Sequence, residues 1–334
     1  MIRNMRFSEL SRLIERILAK HGLAQDNARI IADVVAAAER DGSFSHGLTR
    51  LNGYISTLES GWVDGAAVPD VINAAPGLVV TNANNGFAQI ALAKSRPLLV
   101  EKTRKQGIAA VAIRNSHHFA ALWPDIEPLA EEQLIALTTI NTRSYMIVWG
   151  GKKKILGTNP MAFACPRRGN PPVIWDQASS PMSHGDLLLA SKEKRQISSG
   201  VAVDANGNST IDPDEMLKGG AFLAFGGHKG SAIAFMIEIL SAAVTGGRFG
   251  YDDRVSGFPG GKTSHAGQFV MALDPLQTRG EEFFDRVEEF LARLRASGVK
   301  RLPGEHRYAR RKLAEADGIP ISSEHYETMQ NLLR

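Results

Sequence analysis

Residue types that move protons or hold anions gather in five short stretches of this 334-residue sequence. The first is Ser45-His46-Gly47 with Arg50. A histidine titrates near neutrality and can give or take a proton at pH 7. On a helix, an arginine four residues later lies one turn away, where its fork can hold a carboxylate through two hydrogen bonds. A proton donor beside an anion clamp is what reduction of a 2-oxo or 2-imino acid requires. A capping serine with a solvated histidine and arginine fits the same spacing, and the residues alone leave both open.

The second stretch, Ser116-His117-His118-Phe119-Ala120-Ala121, follows an apolar strand-like run over residues 108–113. Adjacent histidines suit a metal, but no third Cys, His or Asp stands nearby at ligand spacing, so no metal is expected. The small residues after them let a ligand approach the backbone closely. Gly157-Thr158-Asn159-Pro160 is the third stretch. The fourth is Trp175-Asp176-Gln177-Ala178-Ser179-Ser180, running on to His184-Gly185-Asp186. Both are strand ends rich in small polar residues, a frequent place for ligand contacts. Asp186 has the chemistry to orient or polarise a histidine. The fifth, Phe225-Gly226-Gly227-His228-Lys229-Gly230, opens an apolar helix. Exposed backbone N–H groups, the helix dipole and Lys229 make it an anion or phosphate site, or else a plain glycine-rich turn.

Helices and strands must carry these stretches. Ser8 is the expected N-cap of a first helix, with Leu10, Leu13, Ile14 and Ile17 at helical spacing until His21-Gly22. A second helix buries Ile30, Ile31, Val34, Val35 and Ala38 and closes at Asp41-Gly42. A third covers residues 46–58. Buried strands are expected at 78–80 and 108–113, separated by a helix over 86–106 that contains Pro97. Strand-like runs alternate with turns from 134 to 164, and another strand covers 172–175. The segment 230–245 is apolar almost all round and predicts a buried helix, whereas 246–267 is glycine-rich and predicts a long loop. Residues 281–297 form an amphipathic helix around Phe284, Val287, Phe290, Leu291 and Leu294. The chain is thus helix-rich at both ends and strand-rich between. It lacks regular strand–helix alternation, and neither Gly-x-Gly-x-x-Gly nor a P-loop is present.

Composition narrows the classes. Hydrophobic residues at 43% and charged residues at 22% exclude a mainly disordered chain. No run of 18 uncharged apolar residues exists, so no membrane span is expected. The N-terminus lacks an apolar leader, and the single cysteine, Cys165, suits a reducing cytoplasm as a small buried residue. Net charge +4 and pI near 9.2 accompany basic clusters at 152–154, 192–195 and 307–312. Without a nucleic-acid-binding module, these fit a solvated face or an anionic cofactor, and no nucleic acid is expected as a partner.

Five motifs appear in order: residues 41–50, 157–160, 176–180, 225–230, and Arg301-Leu302-Pro303-Gly304-Glu305-His306-Arg307. Together they resemble the type-2 malate/L-lactate dehydrogenase family over residues 8–320. Within it, the run from His117-His118 to Trp123-Pro124-Asp125 is most similar to reductases of cyclic imino acids. So is Gly185-Asp186, where malate-type members tend to have Gly-Lys. Those enzymes convert Δ1-piperideine-2-carboxylate to L-pipecolate and Δ1-pyrroline-2-carboxylate to L-proline with NADPH. The sequence departs from the family at Ser183-His184-Gly185, where Ala-Arg-Gly is usual, and at Pro181.

The resemblance implies an α+β (mixed α/β) fold with a non-Rossmann NAD(P)-binding domain on a largely antiparallel sheet, flanked by a helical domain built from both chain ends. Residues 1–118 with 298–334 would form the helix-rich catalytic, substrate and dimerisation part, and 119–297 the NADPH-binding domain. By position, His46 would be the proton donor with Ser45 and Asp186 as relay partners, and Arg50, Thr158, His184 and Gly185 would contact substrate. NADPH, or else NADH, would lie against His118, Phe119, Ala120, Ala121, Leu122, Asp176, Gln177, Ala178, His228, Lys229 and residues Arg301 to Arg307. The implied protein is a cytoplasmic homodimer acting on a small cyclic imino acid. The alternatives are a malate, L-lactate or ureidoglycolate dehydrogenase of the same family, or a non-catalytic anion- or nucleic-acid-binding protein.

Overall fold

Strand β1 (Ile2–Met5) leads into helices α1 (Phe7–Lys20) and α2 (Gln25–Arg40) in the computed structural model, which describes residues 2–334. The N-cap of α1 is Arg6, not Ser8, and its backbone N–H donates to Glu9 Oε2 at 3.1 Å. Leu10, Ile14, Ile17 and Leu18 are buried in one core with Ile31, Ala32 and Val35 of α2, as their spacing predicts. The third helix is shorter than its periodicity. Two 3₁₀ turns, Phe44–His46 and Leu48–Arg50, precede α3 (Leu51–Glu59). They break at Gly47, where a Cβ would lie 2.2 Å from Glu39 Oε2. That buried carboxylate accepts the Leu48 N–H at 2.9 Å. His46 and Arg50 are therefore not one turn apart on a regular helix; each is set by its own short turn.

Next come β2 (Asp70–Ala75), β3 (Leu78–Phe87), α4 (Ala88–Gln106), β4 (Ile108–His118) and α5 (Trp123–Glu131). They are followed by β5 (Ile135–Ile140), β6 (Met146–Ile147), β7 (Lys154–Leu156), β8 (Met161–Cys165) and β9 (Val173–Gln177). A smaller region holds α6 (His184–Lys192), β10 (Ala202–Val203), β11 (Ser209–Thr210), α7 (Pro213–Leu217) and β12 (Ala221–Phe222). Then come α8 (His228–Glu238), β13 (Ser264–Leu273), α9 (Leu276–Arg279) and α10 (Glu282–Ala296). The chain closes with α11 (Glu305–Asp317), β14 (Ile319–Ser322) and α12 (Ser323–Leu333).

The main sheet runs β2-β3-β4-β13-β5-β8-β9. Only β3 and β4 pair in parallel, across the α4 crossover; every other neighbouring pair is antiparallel. This is a mixed α/β fold on a largely antiparallel sheet, not a doubly wound parallel one. Backbone hydrogen bonds run across residue 118, because β4 pairs with β13. A second sheet, β11-β10-β12-β6-β7, packs its own core of Met146, Phe222 and Leu187. The chain ends meet: β1 pairs with β14, and Ile319, Ile321 and Met329 join the α1–α2 core. No described helix is long and apolar enough to cross a membrane.

Two sequence expectations are corrected here. The glycine-rich stretch 246–267 already contains the start of β13, which is an internal strand of the main sheet. Gly267 belongs there because a Cβ would lie 1.9 Å from Ser241 O; it lets the strand approach the neighbouring helix. The apolar segment 230–245 is not wholly buried. Gly230, Ser231, Ala234, Ile237 and Glu238 face inward, while Phe235 is 62% exposed and Val244 53%. The segment also changes from α to π helix at Ile239–Val244.

Candidate active site

The ends of these elements converge on one cavity of about 760 Å³. The 3₁₀ turns contribute Ser45, His46 and Arg50. The step from β4 to α5 contributes His118, Phe119, Ala120, Ala121, Leu122 and Trp123. Thr142 and Tyr145 follow β5, and Thr158 precedes β8. Asp176, Gln177 and Ala178 end β9, His184, Gly185 and Asp186 begin α6, and His306 and Arg307 begin α11.

At the α6 side, Ser45 Oγ and His46 Nδ1 are 2.9 Å apart, which leaves Nε2 as the other ring nitrogen. Arg50 Nε donates to Ser45 O at 2.7 Å, and its guanidinium lies 4.4 Å from the centre of the Phe119 ring, a cation–π shelf. Two glycines make that placement possible. A Cβ on Gly53 would lie 2.5 Å from Phe119 Cε1, and one on Gly185 would lie 2.3 Å from Arg50 Nη2. Tyr145 stacks on His184 with ring centres 4.2 Å apart. Ser183 caps α6 and fixes Asp186: its Oγ accepts the Asp186 N–H at 3.0 Å and donates to Asp186 Oδ2 at 2.8 Å.

Burial, then the Arg50 charge, lowers the His46 pKa to about 3, with Asp186 nearby pulling the other way. His184 falls to about 4 through burial and the charges of Arg50 and Arg143. Both rings are thus neutral at pH 7, beside a cationic guanidinium. The arrangement offers an anion a strong partner in Arg50. An anion bound there would also offset the Arg50 repulsion, a smaller cause than burial of the lowered His46 pKa.

The opposite wall is built around Asp176. Its Oδ2 accepts the Leu122 and Trp123 N–H groups at 2.7 and 3.0 Å, so it caps the start of α5 from β9. Burial raises its pKa and these two donors lower it. Trp123 Nε1 is buried without a hydrogen-bond partner, while Arg307 packs 5.3 Å from its ring centre and donates to Ile174 O at 2.7 Å. His118 Nε2 meets Asp125 Oδ2 at 3.0 Å, whereas His117 turns the other way, to Thr263 and Asn85. Among the described residues no three His, Cys, Asp or Glu side chains gather around a metal position.

This cavity is larger than a single-ring acid needs. An unpartnered indole N–H, the small Ala120 and Ala121, and the cationic Arg307 suit a flat, partly anionic ligand beside the small acid, as a nicotinamide dinucleotide would be. Comparison with known proteins decides the lineage. The sequence matches the malate/L-lactate dehydrogenase family over residues 5–330. The chain belongs to that family. It is 47% identical over 327 residues to the Δ1-pyrroline-2-carboxylate/Δ1-piperideine-2-carboxylate reductase of Pseudomonas putida, covering 98% of this chain and 96% of the relative. The crystal structure of Δ1-piperideine-2-carboxylate reductase from Pseudomonas syringae pv. tomato superposes with a TM-score of 0.97 at 44% identity, covering 99% of each chain. A more distant member, the NADP(+)-dependent (2R)-3-sulfolactate dehydrogenase of Chromohalobacter salexigens, is 36% identical over 96% of each.

As a member of this family the chain is an oxidoreductase for which a nicotinamide cofactor is implied. The structure brings most of the sequence-derived site residues onto the cavity but not all. His228 and Lys229 are exposed at the start of α8, and Arg301 to Glu305 sit ahead of His306 without lining the cavity. Within that segment Glu305 Oε2 accepts the Leu302 N–H at 2.7 Å, and Gly304 takes φ +87° at the N-cap of α11. Thr142, Tyr145 and Lys262 line the cavity and were not singled out from sequence. Thr142-Arg143-Ser144-Tyr145 is itself a polar run at a strand end, the signal that pointed to residues 157–160.

Proposed function

We propose that this protein reduces the C=N bond of small cyclic imino acids, Δ1-piperideine-2-carboxylate to L-pipecolate and Δ1-pyrroline-2-carboxylate to L-proline, with NADPH as reductant. The observation that carries the reading is the junction of Ser45, His46, Arg50 and Gly185. There a guanidinium rests on Phe119 against a glycine, with a half-buried imidazole on the preceding short turn.

The carboxylate of the imino acid pairs with the Arg50 fork, with Thr158 and the His184-Gly185 backbone completing its surround. Pairing Arg50 with the carboxylate removes the largest cause after burial that holds the His46 pKa down, and Asp186 beside it favours the protonated ring that proton delivery requires. Ser45 holds Nδ1, and Nε2 presents the proton to the ring nitrogen of the substrate. Asp186, fixed by Ser183, stabilises the imidazolium. When bound, the nicotinamide supplies the hydride. Ala120, Ala121, Leu122, Gln177, Ala178 and Trp123 would form its wall, Arg307 would offer charge and the neutral His306 ring a hydrogen bond to its phosphates, with His228, Lys229 and the 301–305 segment further out. In this reading residues 1–118 with 298–334 carry the proton donor, the carboxylate clamp, the dimer contacts and Arg307, and 119–297 carries most of the cofactor wall together with Thr158, His184 and Gly185 at the substrate, in a cytoplasmic homodimer.

The test is NADPH oxidation with the two cyclic imino acids, pyruvate and oxaloacetate in parallel. The reading expects kcat/KM for an imino acid to exceed that for either oxo acid by at least about tenfold, a difference of about 1.4 kcal/mol in transition-state binding. Preference for an oxo acid would return the chain to the 2-hydroxy acid dehydrogenase alternative.

A further inference from the structure

Behind the cavity wall lies a carboxylate that the mechanism above does not use. Glu238, at the end of α8, is 4% exposed. Its Oε1 accepts from Asn141 Nδ2 at 3.1 Å and from the Gly250 N–H at 2.7 Å, and its Oε2 accepts from Asn159 Nδ2 at 2.8 Å. All three partners are donors, so the ionised form is the one they satisfy.

Each asparagine is the chain neighbour of a cavity threonine. Asn141-Thr142 leaves β5, and Thr158-Asn159 enters β8. Asn159 is fully buried and held at φ +34°, in the left-handed region that few side chains adopt. Its Oδ1 accepts the Thr142 N–H at 3.1 Å, and its Nδ2 also reaches Ala234 O at 3.0 Å. Ser179 secures the same turn, donating its Oγ–H to Asn159 O at 2.8 Å and its N–H to Thr158 O at 2.7 Å. The Thr142 and Thr158 hydroxyls then stand 3.4 Å apart. A Cβ on Gly157 would lie 2.1 Å from Thr142 Oγ1, so the wall has no slack there.

We infer that Glu238 is a positioning residue for the substrate: through Asn141 and Asn159 it sets the paired hydroxyls of Thr142 and Thr158 that line the cavity. The inference rests on the reading of the cavity as an imino-acid site. Glu238→Gln tests it, because an amide of the same size must turn its NH₂ toward at least one of the three donors. Flipping the Asn159 amide to compensate would set it against the Thr142 N–H and Ala234 O.

The folded variant should show KM for the imino acid raised about tenfold, the scale of one spoiled buried hydrogen bond, with the NADPH Kd within about twofold of wild type. Its effect on KM should also be less than multiplicative with that of Thr158→Val, because both act on one hydroxyl pair. An unchanged KM, a multiplicative combination, or an equal loss of NADPH affinity would each overturn it. Should Glu238→Gln not fold, Asn141→Ser removes one donor to the same carboxylate and carries the same readings. Titrating pyrrole-2-carboxylate, a planar ring acid without a C=N bond to reduce, onto the NADPH-loaded protein separates the two claims. Wild-type binding without imine turnover would sink the proposed function. Equal binding by wild type and Glu238→Gln would sink the role of Glu238 alone.

Discussion

At the level of single residues, the reaction turns on two side chains. His46→Ala removes the proton donor and should lower kcat by roughly 10²-fold or more, with NADPH binding retained, as general acid catalysis usually contributes that much. Steady-state rates with cofactor fluorescence check it, and wild-type turnover would remove His46 from the mechanism. Arg50→Lys keeps the charge but loses the planar fork, the Phe119 stacking and the bond to Ser45 O. A spoiled buried charge pair costs about 2–5 kcal/mol, so kcat/KM should fall by one to three decades while the melting temperature holds. Activity within about twofold of wild type would make Arg50 a bystander.

At the scale of elements, the sequence named the site better than the scaffold. Four of the five polar stretches sit on one cavity because each ends a strand or opens a helix, a local signal of small polar residues after an apolar run. What periodicity could not supply was long-range pairing. Strand β13 hides in a glycine-rich segment because Gly267 serves a close approach to Ser241, a contact 26 positions away. The apolar α8 looked buried because periodicity cannot distinguish a face packed on the core from one left open. The fifth stretch reaches the cavity only through Phe225; beyond it, at the mouth of α8, Gly226 and Gly227 take φ +55° and +63° and the turn leaves His228 and Lys229 exposed. Lys229→Ala should raise the NADPH Kd several-fold at low salt, with the gap closing at high salt. Equal affinity at low salt would exclude this turn from the cofactor site.

For the whole molecule, histidines held partly or wholly out of water set the response to acid. His46 is lowered to about 3, His184 and His265 to about 4, and His117 well below its ordinary value, each chiefly by burial. In the unfolded chain these rings take a proton below about 6.5, whereas the folded protein refuses it until far lower. The unfolded state therefore binds more protons across that window, and stability falls as pH drops through it. The buried carboxyls of Glu39, Glu238 and Asp176, all raised by burial, work in the opposite direction. The melting temperature should drop by a few degrees between about pH 7.5 and about pH 5.5. A flat or rising profile would contradict the neutral, desolvated histidines. The most direct test of the whole account is the fate of the hydride. With NADPH carrying deuterium at the transferring C4 position, the product from Δ1-piperideine-2-carboxylate should be L-pipecolate with one deuterium at C2. Unlabelled product, the D enantiomer, or label appearing only in lactate or malate made from the oxo acids would contradict it.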